Sequence, residues 1–162
     1  MEENDKIKVP VEIPQSVVEK LSQDCGYFSE IGDSIGSSFF VASAMDLNND
    51  GQKDFVIQLV GSTDGCILGA HSTLFWIFVH TSKGYKMVFK KTGQWLNVSK
   101  KEINGYKNIS ISTAVRLVTM IGIDYRYNKN QYTPHRCFSY SIDESSDDHS
   151  VRYEKCSIKS IE

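Results

Sequence analysis

Residues 73–80, Thr73-Leu74-Phe75-Trp76-Ile77-Phe78-Val79-His80, are apolar at nearly every position. A strand with one face in water alternates apolar and polar side chains. A run without that alternation is expected for a strand covered on both faces. Its apolar stretch, residues 74–79, is a strand's length and far short of the roughly 18 residues that cross a bilayer as a helix. The surrounding sequence reads as further strands, at residues 39–45 and 55–60 before it. Ser82-Lys83-Gly84 then turns the chain into a segment where Tyr85, Met87 and Phe89 alternate with Lys86, Val88 and Lys90. Short strands are expected at 95–98 and 108–112. A long one is expected at 114–127, with Gly122 marking a bulge or bend. Asn128-Lys129-Asn130-Gln131 turns the chain back into 132–142. A last strand at 151–158 carries Cys156 close to Cys137.

One helix precedes the strands. Pro14 fits a first helical turn, Val17, Val18 and Leu21 recur at helical spacing, and Gly26 can stop the helix after about Asp24. Residues 26–37, rich in Gly and Ser, residues 61–72 and the acidic, serine-rich stretch 143–149 read as loops. The reading is a polar leader at 1–13 and a single domain at 14–162. Its fold class is α+β, a mainly antiparallel β meander with an N-terminal helix. A chain of 162 residues can bury a core of its own. Phe75, Trp76, Phe78, Tyr85, Phe89 and Trp95 are expected in that core. Any exposed member of the set Trp95, Tyr106, Tyr125 and Tyr127 would mark a partner surface.

Composition excludes more than it assigns. The net charge of −2 makes no electrostatic case for nucleic acid, whose binders concentrate Lys and Arg. No apolar run is long enough for a membrane span. The start, Met1-Glu2-Glu3-Asn4-Asp5-Lys6, is acidic where a secretory leader is basic and then apolar. A cytosolic chain and a mature exported chain with an added Met1 both fit. The cysteines Cys25, Cys66, Cys137 and Cys156 form no C-x-x-C pair, which argues against a zinc knuckle, and they allow three disulfide pairings.

The string with most chemistry is Asp46-x-Asn48-x-Asp50-Gly51-Gln52-x-Asp54. Calcium takes six to eight oxygens. Alternate side chains of a tight loop, here Asp46, Asn48 and Asp50, point inward together. Gly51 permits the sharp turn, the Gln52 carbonyl supplies a backbone oxygen, and Asp54 closes the site directly or through water. The competing reading is a metal-free turn in which Asp and Asn side chains hold the loop's own amides. Three carboxylates this close favour the cation. Position twelve of the calcium template is Ile57 rather than Glu, and both flanks read as strands, so this is no EF-hand. The string resembles the calcium loop of FG-GAP repeats, where D-x-N-x-D-G-x-x-D joins two strands. One copy cannot make a propeller.

A wider pattern runs from Ile13-Pro14-Gln15-Ser16-Val17 through the Asp46 loop, Cys66 with Leu68-Gly69-Ala70-His71, Phe75-Trp76-Ile77-Phe78 and Gly84-Tyr85. It continues with Asn104-Gly105-Tyr106-Lys107-Asn108-Ile109 and a Tyr-rich terminal hairpin. It resembles a group of small exported bacterial proteins with no established activity. The terminal hairpin departs from the group, with Tyr127-Asn128-Lys129-Asn130-Gln131-Tyr132 where the group has Phe-Asp-Gly-Lys. The resemblance implies a periplasmic or secreted protein whose signal peptide is not in the chain. It also implies two disulfides, Cys25 with Cys66 and Cys137 with Cys156.

Nothing in the sequence assembles a catalyst. His71, His80, His135 and His149 lack metal-hydrolase spacing, and Ser145 and Ser146 lack a nucleophile elbow. His135-Arg136-Cys137 reads as a disulfide cysteine beside a turn rather than a thiol site. Asp143, Glu144, Asp147 and Asp148 read as a solvated loop. The expectation is a non-catalytic extracytoplasmic binding domain with a calcium-stiffened hairpin and no catalytic residue. Its partner would be another protein or a cell-wall component. One version is an immunity or inhibitor protein that plugs a toxin or wall hydrolase with the loop at 62–72. The alternatives are an envelope enzyme acting on glycan or peptidoglycan, and a structural envelope domain.

Overall fold

Nine antiparallel strands in two sheets make up most of the computed structural model, which describes residues 11–25, 40–60, 72–142 and 151–158. The expected loops at 26–37 and 143–149, all of the expected loop at 61–72 but Ser72, the leader up to residue 10, and Cys66 lie outside the described residues. One sheet has the order β1 (Phe40–Met45), β2 (Asp54–Leu59), β3 (Thr73–Thr81) and β4 (Gly84–Gly93). The other runs β5 (Trp95–Ile103), β6 (Tyr106–Arg116), β7 (Thr119–Asn128), β8 (Gln131–Ile142) and β9 (Val151–Lys155). The helix α1 (Gln15–Cys25) is the only one of any length among the described residues. The molecule is therefore mainly β, and α+β describes it only loosely.

The apolar run in β3 has cover on both sides. Leu74, Trp76 and Phe78 join Phe40, Phe55, Ile57 and Leu59 beneath Val17 and Leu21 of α1. Phe75, Ile77 and Val79 face the second sheet and pack with Ile109, Ile111, Tyr125, Tyr127 and Tyr132. Period-2 alternation thus sends successive β3 side chains into two separate cores. Asp24 at the helix end accepts from the Trp76 indole at 2.8 Å and pairs with Lys90 at 2.7 Å, which fixes α1 over the first sheet.

Several expectations change in detail. The regular alternation expected after Tyr85 is broken by a bulge opposite Ile77 and Phe78, so Val88 and Phe89 are both buried and Met87 is exposed. The short strands expected at 95–98 and 108–112 are halves of a longer hairpin. Its turn is Asn104-Gly105, both at positive φ (57° and 76°), as a two-residue type I′ turn requires. The long strand expected at 114–127 is two strands that reverse at Leu117-Val118, between the paired Arg116 and Thr119. Gly122 marks no bulge. It pairs with Phe138, whose ring lies where a Cβ would stand (2.3 Å). The chain passes between sheets at Gly93, whose Cβ would come within 2.3 Å of Ile111. Gln94 continues directly into the second sheet by donating its N–H to the Ser112 carbonyl.

The last strand, β9, adds to the edge of the second sheet through β8. Cys156 follows it and forms a disulfide with buried Cys137, with Cα atoms 5.1 Å apart.

Candidate functional site

The Asp46 loop is the connection between β1 and β2, closed by the pairing of Met45 with Asp54. Its tip is held by its own side chains. Asp46 accepts from the amides of Asn48 (3.2 Å) and Gly51 (2.9 Å) through its two oxygens. The Asn48 side-chain oxygen accepts from the Asp50 amide at 3.3 Å. Asp50 accepts from the Gln52 amide at 2.7 Å and from the Asn48 side-chain amide at 2.9 Å. Asn49 and Gly51 take positive φ (57° and 78°), which Asn tolerates and Gly adopts freely. The side chains of Asp46, Asn48 and Asp50 thus hold the loop's own amides, the hydrogen bonding of the metal-free turn, and Asn48 and Asp50 are also bonded to each other.

Asp54 behaves differently. It is fully buried, and its two oxygens accept from the Leu47 amide and the His80 amide, both at 2.8 Å. The carboxylate ties the start of the loop to the end of β3. Leu47, also fully buried, plugs into the core between the sheets.

The loop is also fastened to the second sheet. The Lys107 amide donates to the Leu47 carbonyl (2.8 Å), and the Lys107 Nζ donates to the Asp46 carbonyl (2.7 Å). Asn49 donates to Glu102 across the surface. The Tyr132 hydroxyl donates to the Lys107 carbonyl at 2.8 Å. Sequence reading missed Leu47, Glu102, Lys107 and Tyr132. Leu47 stands in the loop itself, and the other three lie in strands of the second sheet that only tertiary packing brings to it.

The two ends of the loop differ in their affinity for protons. At Asp46 desolvation favours the neutral form, but the amides of Gly51, Asn48, Asn49 and Asp50 outweigh it and hold the carboxyl below its ordinary value. At Asp54 burial dominates and pushes the carboxyl up. The His80 and Leu47 amides oppose that shift, and the charges of Asp50 and Asp46 add to it. Burial also raises the Tyr132 phenol, with the Asp54 charge contributing.

A cation at the tip would draw on Asp46, Asn48 and Asp50 with the Gln52 carbonyl. Each carboxylate oxygen has lone pairs beyond the amide it accepts. Among the described residues no three His, Cys, Asp or Glu side chains converge as a ready metal cluster. The donor set is hard and anionic, as calcium prefers, but short of six to eight ligands, so water would complete it.

A second surface lies on the outward face of the second sheet. Trp95, Ser112, Gly122 and Phe138 stand in one cross-strand row. Tyr140 and Tyr153 pair in the next. Trp95 (54% exposed) and Tyr153 (74%) are open to solvent. Arg136 bonds Asp124 and stands 6.0 Å over the Phe138 ring. Trp95 is therefore a surface residue and not part of the core expected for it. Tyr125 and Tyr127 are core, and Tyr106 stacks on Tyr127 at 3.6 Å between ring centroids.

No protein-family model matches the chain, and neither a curated protein nor a solved structure is significantly similar to it.

Proposed function

We propose that the chain is a non-catalytic binding domain of an extracytoplasmic compartment, with calcium at its Asp46-Asn48-Asp50 loop and another protein or a cell-wall component as its partner. The observation that carries this reading is the position of the loop. Its tip gathers an ionised Asp46 with Asn48 and Asp50, while Lys107 fastens the same loop to the second sheet. A cation there would stiffen the junction of the two sheets. Exposed Trp95 and Tyr153, beside half-buried Phe138 and Tyr140 on the second sheet, would give a partner aromatic anchors. The Cys137–Cys156 disulfide favours an oxidising compartment. An inhibitor of a toxin or wall hydrolase is the specific form of this proposal. Its plug at 62–72 falls almost wholly outside the described residues; the face carrying Trp95 and Tyr153 is a second docking surface for such a partner.

Thermal unfolding tests the calcium part. The short ligand set predicts weak binding, with Kd about 10⁻⁴–10⁻³ M. Calcium at about ten times Kd would stabilise the fold by about 1.4 kcal/mol, raising Tm by about 3–6 °C. The Asp50→Ala variant should show no rise. An unchanged Tm in the unsubstituted protein at saturating calcium would reduce the loop to a metal-free turn.

A further inference from the structure

The inner face of the second sheet is longer than the first sheet covers. Where the two part, beyond Phe89, a cleft of about 550 Å³ remains. That lies within the roughly 300–1,000 Å³ of small-molecule sites. Ile111, Thr113, Ile121 and Ile123 form its floor, with Tyr125 and Pro134 further along β7 and β8. Val115 stands at the lip (50% exposed), and Leu117 beyond it, at the β6–β7 turn, is fully exposed.

One residue of this apolar cleft is out of pattern. Lys91 pairs with Phe75, as Phe89 pairs with Ile77, so Lys91 follows Phe89 on the face of β4 that looks toward the second sheet. The next position on that face, Gly93, packs against Ile111. A side chain between two core contacts is ordinarily apolar. Lys90, on the opposite face, has Asp24 as its partner. For Lys91 no hydrogen bond or ion pair is found among the described residues. Lys91 lines the cleft and is open to solvent, so a cationic side chain adjoins its apolar walls, a combination complementary to an anion carrying a hydrocarbon tail.

We propose that this cleft binds a single-chain anionic amphiphile, such as a long-chain carboxylate, with its head at Lys91 and its tail along Ile111, Thr113, Ile121 and Ile123. This site is separate from the calcium loop and does not rest on it. The apolar lip of Val115 and Leu117 would guide the tail in. Charge selects the head group, and buried methylene selects the tail length.

The test uses the full chain and dansyl-labelled undecanoate, whose emission rises when it leaves water. Laurate, myristate and palmitate should displace it, and each added methylene should tighten binding about fourfold until the trough is full. Lys91→Glu should weaken laurate about tenfold while leaving dodecanol within about twofold. Lys91→Gln, whose milder change guards against misfolding, should weaken laurate less and in the same direction. Thr113→Phe, which fills the floor, should reduce both ligands, and Lys100→Glu, a control for net charge, should affect neither. Absence of probe binding by the unsubstituted protein would overturn the proposal, as would equal loss of acid and alcohol in Lys91→Glu. A concentration-dependent dimer in light scattering, with no probe uptake, would also overturn it and assign the cleft to a second copy of the chain.

Discussion

The two ends of the Asp46 loop carry the same side chain and put it to different uses. At Asp54 the carboxylate is buried and each oxygen holds a distant backbone amide, that of Leu47 or His80. At Asp46 and Asp50 the carboxylates sit at the tip and hold amides of the loop itself. The lesson is that a calcium-type string can combine a structural clamp and a candidate ligand set. The two should respond separately to substitution, acid and metal.

The largest expected effect is at the clamp. Asp54→Ala leaves the buried Leu47 N–H and the part-buried His80 N–H without acceptors, at about 1–3 kcal/mol each. Chemical denaturation should therefore show a loss of about 2–5 kcal/mol. A loss below about 1 kcal/mol would place Asp54 with the tip residues instead. Next is the staple at the far edge of the second sheet. Cys137→Ala with Cys156→Ala opens a loop of sequence separation 19 and should cost about 3 kcal/mol. Because that edge shares no partner with the loop, its cost should add to that of Asp54→Ala. Gly51→Ala places a Cβ at φ +78°. It should cost about 1–2 kcal/mol, while nothing within 4 Å obstructs it. Smallest is Asp50→Ala, an exposed change worth within about 0.5 kcal/mol in chelator.

Acid should separate the two ends further, with opposite signs. The Asp54 value is raised, so its contribution is fully present below the unfolded value of about 3.9 and is lost as pH rises through the folded value. The Asp46 value is lowered, so its contribution is present above the unfolded value and is lost as pH falls through the folded one. In denaturation series across pH, Asp54→Asn should gain more stability than the parent as pH rises from about 4. Asp46→Asn should lose less on acidification. A cation at the tip would offset the charges of Asp46 and Asp50 that raise Asp54, so calcium should lower the Asp54 value.

The parts of the fold that were legible are those dictated by local pattern. The unbroken apolar run of β3 announced cover on both faces, and Asp46 to Gly51 announced a tight connection between strands. The Lys129-Asn130 reversal was also visible. Long-range packing hid the rest. Leu117-Val118 turns the chain without Gly, Asn, Asp or Pro, so no turn residue marked it. The division into two sheets rests on Gly93, whose missing Cβ matters only because Ile111 stands opposite. Gly122 looked like a bend because its neighbour Phe138 is 16 residues away in sequence. At the loop, the run of Asp, Asn and Gly foretold a turn braced by its own side chains. The inward turn of Asp54 depended on the His80 amide, which local sequence does not reveal.

On the proposed reading the tip of this loop takes up calcium while Asp54 holds the fold. Calorimetric titration of chelator-treated protein with calcium, beside the Asp50→Ala variant, tests it most directly. The expected result is a saturable heat with Kd about 10⁻⁴–10⁻³ M that vanishes in the variant while its fold persists. A flat titration of the unsubstituted protein at millimolar calcium, or an equal heat in both proteins, would contradict the claim.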